Sequence, residues 1–413
     1  MGSASMRRCA AGAGLAAAGL LAGCSAPTPG GAPAAETYTV WDPYAQYGDD
    51  SAWVELLTRC GAGAGVKVAR TPFENTDLTN RTMLAAQQGQ APDVLLVDNP
   101  MVSTLAGAGI LTTTQEIKVG TSAILPNLLA AGQVGGRTYG VPIGANTLAL
   151  YYNKAVLDEA GVDPGAVRDW ATLTAALEKV TASGKQGITF AAIDTEEGSF
   201  QFLPWFWGTG ARLTKLDSAR GIAAESLWTN WVRQGYAPAS VLRNSQTASW
   251  REFATGRFGF GENGTWQLAN ARRLGFEYGI IPIPARTGGT APGPLGGEFV
   301  SVPVQADTTR YAASRKLVTC LTGPGSADIT NETLSYVAPT AAGQARQVAA
   351  DPELRVWVNA VNAARGRTSD NLGAKYPKIS EPLRGAVQAS LSGALSPREA
   401  MTAAQAEAVK ATR

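Results

Sequence analysis

Residues 91–99 read Ala-Pro-Asp-Val-Leu-Leu-Val-Asp-Asn, and this stretch decides the fold class. Its apolar run, Val94 to Val97, does not alternate with polar residues, which is typical of a parallel strand buried on both faces. The Ala-Pro-Asp before the run favours a turn, and two polar residues, Asp98 and Asn99, follow it directly. The stretch therefore predicts a buried sheet strand that ends in polar side chains.

The segments upstream of this strand alternate between strand and helix patterns. Thr37 to Trp41 and Val66 to Arg70 have the pattern of strands, and Ser51 to Arg59 and Leu78 to Gln88 that of helices. The alternation continues along the chain and predicts an α/β fold with mainly parallel sheets and helices on both faces. The body beyond residue 35, about 375 residues, exceeds the size of one growing core, so two domains are expected.

A glycine-rich run, Gly61-Ala-Gly-Ala-Gly65, imitates a dinucleotide-binding loop. It follows a helix and precedes a strand, the reverse of the order that would direct helix amides at a pyrophosphate. We therefore interpret the run as a helix stop and turn.

The start of the chain carries an export signal. Arg7 and Arg8 precede an uncharged stretch, Ala10 to Ala22, which is too short to remain as a membrane anchor. Leu21-Ala22-Gly23-Cys24 has the pattern of a bacterial lipobox, whose Cys accepts a diacylglycerol. An ordinary signal peptide with an incidental Cys is the alternative, and the paired arginines leave both general and twin-arginine export open.

These features predict a lipoprotein signal peptide over residues 1–24 and lipidation of Cys24. Residues 25–35 are rich in Pro and Gly and poor in apolar bulk, so they are predicted to be a flexible tether. The folded body would then be held at the membrane by the lipid chains.

Composition excludes several classes of function. Of 35 basic residues, removal of Arg7 and Arg8 leaves 33, which balance the 33 acidic residues, so the mature chain is neutral and no nucleic-acid partner is expected. The sequence has no His, which excludes Ser-His-Asp and Cys-His catalysis and the usual His-bearing zinc sites. We predict no cofactor and no metal site.

Two cysteines, Cys60 and Cys320, lie beyond the export signal. In an oxidising compartment they can form a disulfide, and two separate buried thiols are the alternative.

Five separated segments carry a resemblance to a known family. They are Gln90-Ala-Pro-Asp-Val-Leu-Leu-Val97; Tyr139-Gly-Val-Pro-Ile143 running to Leu150-Tyr-Tyr-Asn-Lys154; Phe253-Ala-Thr-Gly-Arg-Phe-Gly-Phe-Gly261 with Glu262-Asn-Gly-Thr-Trp266; Gly293-Pro-Leu-Gly-Gly-Glu298; and the closing helix after Leu395-Ser-Pro-Arg-Glu-Ala400. In this order and spacing they resemble the extracellular sugar-binding proteins of ABC importers, the broad family that includes maltose-binding proteins. Such proteins carry a lipobox in Gram-positive bacteria.

The resemblance implies a two-lobe periplasmic-binding-protein fold, type II-like, in which each lobe is a mainly parallel sheet flanked by helices and the lobes are joined by a hinge. Lobe 1 would comprise residues 36–143 and 285–336, and lobe 2 residues 144–284 and 337–413. The resemblance also implies a protein that performs no catalysis. A monomer, lipid-anchored at the extracellular face of the bacterial membrane, would capture a carbohydrate, mono- to oligosaccharide, in the interlobe cleft. It would deliver this ligand to the transmembrane permease subunits of an ABC transporter.

Sugars bind to flat aromatic faces and to planar polar groups that pair with hydroxyls. By the resemblance, Trp266 takes the place of a sugar-stacking aromatic, with a plain core Trp as the alternative. Asn146 follows the hinge strand where relatives place a polar residue on the ligand. Glu298, behind two glycines that let the backbone approach closely, is an expected hydroxyl acceptor, with a solvated carboxylate as the alternative.

Polar residues at strand ends extend this set. Asp98 and Asn99 leave the end of a buried strand, where they are expected to meet the ligand unless they cap the next helix. Trp41 and Asp42 lie after the first strand, and an Asx-Pro turn with a packing Trp is the alternative.

The middle of the chain adds further candidates. Glu196 and Glu197, with Trp205 and Trp207 downstream, match a region that supplies ligand contacts in relatives, with solvated carboxylates as the alternative for the two Glu residues. Tyr336 is expected on the cleft floor, although helix packing explains it equally well.

Other functions remain open at this point. A secreted glycoside hydrolase could use Glu197 and Glu298 as its two carboxylates. The same fold could bind a polyamine through Asp42, Asp98, Glu197 and Glu298, or another polar solute. Anionic cargo would need Arg or Lys in the cleft, and the candidate loop tips carry none.

Overall fold

The computed structural model describes residues 36–413, except for the side chains of residues 75 and 76. The predicted signal peptide, the lipidation site Cys24 and the tether lie outside the described residues. Within residues 36–413, no helix combines the length and the apolar character needed to cross a membrane.

The strands of the described residues fall mainly into two sheets. In chain order they are β1 (Glu36–Asp42), β2 (Val66–Pro72), β3 (Val94–Asp98), β4 (Gln133–Val134), β5 (Arg137–Thr138), β6 (Gly140–Pro142), β7 (Leu148–Asn153), β8 (Gln186–Thr189), β9 (Phe258–Gly264), β10 (Tyr278–Ile281) and β11 (Glu298–Ser301).

Helices cover the sheets. In chain order they are α1 (Ala52–Ala64), α2 (Asn75–Gln87), α3 (Asn99–Gly107), α4 (Pro126–Leu129), α5 (Lys154–Glu159), α6 (Trp170–Ala182), α7 (Glu196–Trp207), α8 (Ala219–Arg233), α9 (Gln246–Glu252), α10 (Leu268–Ala271), α11 (Tyr311–Leu321), α12 (Pro324–Leu334), α13 (Ala341–Ala350), α14 (Leu354–Ala363), α15 (Tyr376–Leu391) and α16 (Pro397–Thr412).

The first sheet has the strand order β2-β1-β3-β11-β6, so the run predicted from residues 94–97 is its central strand. All four residues of that run are buried, as the lack of alternation predicted. β1 pairs in parallel with β2 and β3, whereas β11 pairs antiparallel with β3 and β6.

The second sheet has the order β10-β7-β9-β8. β7 runs antiparallel to both β10 and β9, and only β8 and β9 are parallel among its pairs. The two sheets are therefore mixed rather than mainly parallel. The reason is that the chain crosses between them, from β6 to β7 and from β10 to β11. A strand that enters after a crossing does not follow a helical crossover connection in its own sheet, so it need not run parallel.

Two apolar clusters fill the interior. The first includes Leu95 of β3 and Trp53 of α1, and it reaches the second sheet through Tyr151 of β7 and Phe258 of β9. The second is rich in aromatic side chains, such as Phe190 stacked on Trp228 with ring centroids 4.0 Å apart. Burying one such aromatic removes enough surface from water to contribute roughly 4–6 kcal/mol as an upper bound. The two sheets and the repeated chain crossings between them confirm the predicted two-lobe α/β fold.

Two local features settle points that the sequence left open or misassigned. Cys60 of α1 and Cys320 of α11 form a disulfide, with their Cα atoms 5.6 Å apart. The glycine-rich run is not a turn, because α1 continues through Gly61 and ends only at Gly65, whose φ is 82°. Gly61 is accommodated within the helix because it packs on β2, where an added Cβ would lie 2.7 Å from Val68 Cγ2.

Candidate functional site

The candidate site begins where β3 ends and β11 starts. These strands pair so that Asp98 lies directly opposite Glu298. The antiparallel register therefore brings together two acidic residues that are far apart in the sequence. Both were predicted as ligand residues.

Glu298 is buried and bonded to two tyrosines. The Tyr44 hydroxyl donates to Glu298 Oε2 at 2.7 Å, and the Tyr336 hydroxyl donates to the same oxygen. Burial and, to a smaller extent, the nearby Asp98 raise the pKa of Glu298 to about 7, although the two hydroxyl bonds oppose the rise. The predicted Tyr336 thus lies at the site, and Tyr44 is an addition that no motif in the sequence indicated.

Asp98 pairs with a buried arginine. Arg367 Nη2 lies 2.5 Å from Asp98 Oδ1, and Arg367 Nη1 lies 2.9 Å from Glu196 Oε1. The Arg367 guanidinium also stacks on the Phe200 ring, 5.0 Å from its centroid. Burial raises the pKa of Asp98, and Arg367 opposes that rise. Arg367 is a cation that the candidate loop tips did not include, because it enters from the irregular segment between α14 and α15.

Asn99 is fully buried as the first residue of α3. Its amide donates to the carbonyl of Leu295 at 3.0 Å and to that of Gly297 at 3.3 Å. Asp98 occupies the N-cap position of α3 but makes no side-chain cap bond, so capping does not explain it. Within the described part of the chain, Asn99 Oδ1 and Arg367 Nε have no hydrogen-bond partner.

Asn146 lies where two connecting segments run side by side. Its backbone exchanges hydrogen bonds with Gly296, at 2.9 and 3.1 Å. A Cβ on Gly296 would displace the Asn146 side chain, whose Oδ1 would lie 2.0 Å away. Gly297 has a φ of 108°, and a Cβ there would lie 2.7 Å from the Gly144 carbonyl oxygen, which favours glycine. The close backbone approach expected of the two glycines before Glu298 is therefore present.

Trp266 is partly exposed, unlike the core tryptophans of the second lobe. Its ring centroid lies 6.2 Å from that of Phe200, the ring that also contacts Arg367 and approaches Gly296. Phe200 thus connects Trp266 to the polar cluster formed by Asp98, Glu298 and Arg367. Trp266 also packs against the second apolar cluster, so its role in ligand binding stays a prediction.

Two predicted aromatic residues have structural roles instead. Trp205 is completely buried, and its indole Nε1 donates to Glu262 Oε2 at 2.8 Å. Trp207 is 3% exposed, and the Arg365 guanidinium covers its ring. Both belong to the second core because every residue of α7 from Gly198 to Trp207 is buried.

Asp42 and Trp41 have different surroundings in the structure. Asp42 is fully buried, and its oxygens accept hydrogen bonds from the Arg70 guanidinium (2.6 and 2.9 Å), Trp53 Nε1 (3.1 Å) and the Tyr44 backbone (3.0 Å). It holds the loop that carries Tyr44 and has no oxygen left for a ligand. Trp41 is partly exposed and packs edge-on against Phe73 at 4.9 Å.

The two glutamates at the start of α7 also differ. Glu197 accepts a hydrogen bond from the Gln246 backbone at 2.7 Å. Glu196 instead accepts from Arg367, from the Tyr376 hydroxyl and from Ser380 Oγ. Of this pair, Glu196 is the residue that joins the polar cluster.

Comparisons with known proteins agree with this architecture. The sequence profile described as "Bacterial extracellular solute-binding protein" matches residues 55–356. The maltodextrin-binding protein MdxE of Bacillus subtilis is 27% identical over 220 residues, 51% of this chain and 51% of MdxE. The curated relatives that the chain matches are covered over only part of their length, between 41% and 61%.

Two solved structures are similar over nearly the whole chain. One is a solute-binding protein of an ABC transporter from Thermotoga lettingae, bound with α-D-tagatose, at 23% identity and a TM-score of 0.78, covering 92% of this chain and 100% of that one. The other is the GacH receptor of Streptomyces glaucescens, solved unliganded and with acarbose, at 25% identity and a TM-score of 0.76, covering 91% and 98%. These matches confirm the resemblance to ABC sugar-importer binding proteins that the five segments predicted.

Proposed function

Since the chain belongs to the bacterial extracellular solute-binding protein family, we propose that it captures a neutral carbohydrate between its two lobes and delivers it to an ABC permease. Membership of this family of binding proteins also confirms the prediction that the chain is not an enzyme. The acarbose complex of the GacH receptor supports a sugar as the ligand class.

The observation that carries the proposal is that the polar cluster lies beside a partly exposed aromatic ring, Trp266. Asp98 and Glu298 supply carboxylates, and Trp266 beside Phe200 supplies ring surface. Buried polar atoms without a partner are unfavourable unless a ligand or water satisfies them. A ligand hydroxyl both donates and accepts, so it suits a site that holds an orphan donor, Arg367 Nε, and the nearby orphan acceptor Asn99 Oδ1.

The charges at the site favour a neutral ligand over an ionic one. Arg367 is balanced by Asp98 and Glu196, so it offers no free positive charge to an anion. The polyamine alternative relied on Asp42, Asp98, Glu197 and Glu298. Of these, Asp42 is bonded to Arg70 and Glu197 to the Gln246 backbone, so only Asp98 and Glu298 stay at the site. The hydrolase alternative relied on Glu197 as well, and it is weakened for the same reason.

The proposed ligand residues follow from these contacts. Tyr44, Phe200 and Arg367 join the set; Trp205, Trp207, Asp42 and Glu197 leave it; Trp41 stays because it is partly exposed at the end of β1. The retained residues are Trp266, Asn146, Glu298, Asp98, Asn99, Tyr336 and Trp41.

We further propose that the protein is a monomer, anchored at the extracellular face of the membrane by lipid on Cys24. A relative from Streptococcus pneumoniae is named a solute-binding lipoprotein, which supports the anchoring. The lobe boundaries, residues 36–143 with 285–336 and residues 144–284 with 337–413, are part of the same proposal.

A ligand screen tests the proposal. The purified protein is heated with maltose, maltotriose, maltotetraose, acarbose, tagatose and, as a cationic control, spermidine; any sugar that raises Tm is then titrated by calorimetry. A ligand at one hundred times its Kd adds about 2.7 kcal/mol of stability, so a binding sugar raises Tm clearly. Asp98→Asn should abolish the shift, and Asp194→Asn, which changes an exposed carboxylate outside the cluster, should keep it. Stabilisation by spermidine alone, or release of hydrolysis products, would contradict the proposal.

A further inference from the structure

Arg367 connects the two lobes of the molecule through two ion pairs. It lies in the irregular segment between α14 and α15, and its side chain is only 2% exposed. Asp98, its first partner, ends the central strand of the first sheet, whereas Glu196, its second partner, begins a helix of the second core. A single guanidinium therefore bridges carboxylates that belong to different lobes.

The segment that carries Arg367 is held in place. The backbone of Arg365 pairs with Gly293 at 2.9 Å and with Leu295 at 2.8 Å. The Arg365 guanidinium bonds Ser369 Oγ at 2.8 Å and Asp370 at 2.5 Å. Arg367 is thus presented from a fixed loop rather than from a free surface side chain.

The residues of the second lobe that contact Arg367 are themselves held in place. Glu196 is itself fixed by the Tyr376 hydroxyl and by Ser380 Oγ at 2.6 Å. The Phe200 ring lies 5.0 Å from the Arg367 guanidinium carbon and the Tyr376 ring 6.0 Å from it. Since these groups all start from the second lobe, Asp98 is the contribution of the first lobe.

We propose that Arg367 fastens the lobes in the closed arrangement by pairing with Asp98, and thereby positions Asp98 for the ligand. Separation of the lobes would leave Arg367 with Glu196 and expose Asp98 to water. The fastening itself requires two lobes but no particular ligand, and only the positioning of Asp98 rests on the proposed function.

Salt should shift the equilibrium between the closed and open arrangements of the lobes towards the open one. The buried Asp98–Arg367 pair of the closed form is shielded from ions, whereas the separated groups of an open form are stabilised by them. High salt should therefore lower the closed fraction of the ligand-free wild type. A variant without the guanidinium should lose this dependence.

The test measures lobe separation without ligand. Spin labels are attached through non-cysteine chemistry at the exposed positions Lys67 and Glu178, so that the disulfide stays intact. Distances are recorded at low and high NaCl for the wild type, Arg367→Met, Glu196→Gln and the control Arg384→Met. Arg384 pairs with Asp194 at 3.0 Å on the second lobe alone, so its removal breaks an ion pair that joins no lobes.

We expect Arg367→Met to shift the distances to longer values and to remove their salt dependence, and Arg384→Met to match the wild type. Glu196→Gln should shift the distances to shorter values, because Arg367 then has only Asp98 as a charged partner and the repulsion between Glu196 and Asp98 is removed. Glu196 is 39% exposed, so Glu196→Gln keeps the test available if Arg367→Met fails to fold. Distances in both Arg367→Met and Glu196→Gln that equal those of the wild type at every salt concentration would overturn the proposal. Failure of every saccharide to bind would instead count against the proposed function and leave the distance result unaffected.

Discussion

Buried carboxyl groups occur in two different surroundings in this protein. At the lobe junction, Glu298 accepts hydrogen bonds from Tyr44 and Tyr336 and lies opposite Asp98. In the second lobe, Glu225 of α8 is completely buried, and neither of its oxygens has a hydrogen-bond partner among the described residues. Burial is the main cause that raises both pKa values, to about 7 for Glu298 and to about 8 for Glu225.

The difference shows that burial alone does not mark a ligand site. Glu225 is surrounded by helices, and the hydroxyls of Ser390 and Thr229 are near it without reaching bonding geometry. Glu298 is bonded to hydroxyls next to an ion-pair network, where a ligand hydroxyl could exchange with them. The proposed site is therefore defined by its partners and its position between the lobes.

The largest expected effect is the loss of stability on replacing a core tryptophan, which we compare with the replacement of a tryptophan at the proposed site. Trp205→Ala should lower the free energy of unfolding by about 3–5 kcal/mol, because it empties a fully buried position. Trp266→Ala, at a partly exposed position, should cost less than half of that but weaken sugar binding by roughly 2–4 kcal/mol. Urea unfolding and calorimetry measure the two quantities. Equal losses of stability with unchanged sugar affinity would remove Trp266 from the site.

A pH series tests the isolated carboxyl. Because the folded-state pKa of Glu225, about 8, lies above the ordinary value of 4.5, this group makes the protein progressively less stable as pH rises from 4.5 to about 8. Glu225→Gln should remove roughly 2–4 kcal/mol of that decline, while the declines due to Glu298 and Asp98 stay. Stability is compared at pH 5 and pH 8 for both proteins. Parallel pH profiles would show that Glu225 is not protonated in the native state.

The smallest expected effect concerns the hydroxyls on Glu298. Tyr336→Phe should destabilise the protein by about 1–3 kcal/mol and raise the pKa of Glu298 further, since this hydrogen bond favours the ionised carboxylate. Carboxyl carbon resonances follow that pKa. Tyr47→Phe is the matched control, because its hydroxyl donates to the Thr333 backbone at 2.7 Å, away from any carboxylate. A pKa that does not rise in Tyr336→Phe would contradict the assigned hydrogen bond.

The sequence predicted the features that depend on local pattern. An unbroken apolar run identified the central strand, and the glycines before Glu298 indicated a close backbone approach. Strand directions in the second sheet could not be predicted, because they depend on where the chain crosses between lobes. The disulfide stayed open for a related reason, since Cys60 and Cys320 are 260 residues apart.

The candidate site was predicted in part, for reasons that individual residues make clear. Asp42 has the polar character of a ligand residue, but Arg70 from the neighbouring strand bonds both its oxygens. Trp205 lies in a region that resembles ligand-contacting segments of relatives, yet its helix is buried on all sides from Gly198 to Trp207. Arg367 was missed because its partners are 269 and 171 residues away, and no short-range pattern reports such contacts.

A crystal structure of the protein with a sugar selected by the ligand screen tests the central claim most directly. The account predicts density for the sugar between the lobes, with a ring face against Trp266 and hydroxyls within hydrogen-bond distance of Asp98 and Glu298. A sugar bound elsewhere on the molecule, with Trp266 and Asp98 contacting only protein, would contradict it.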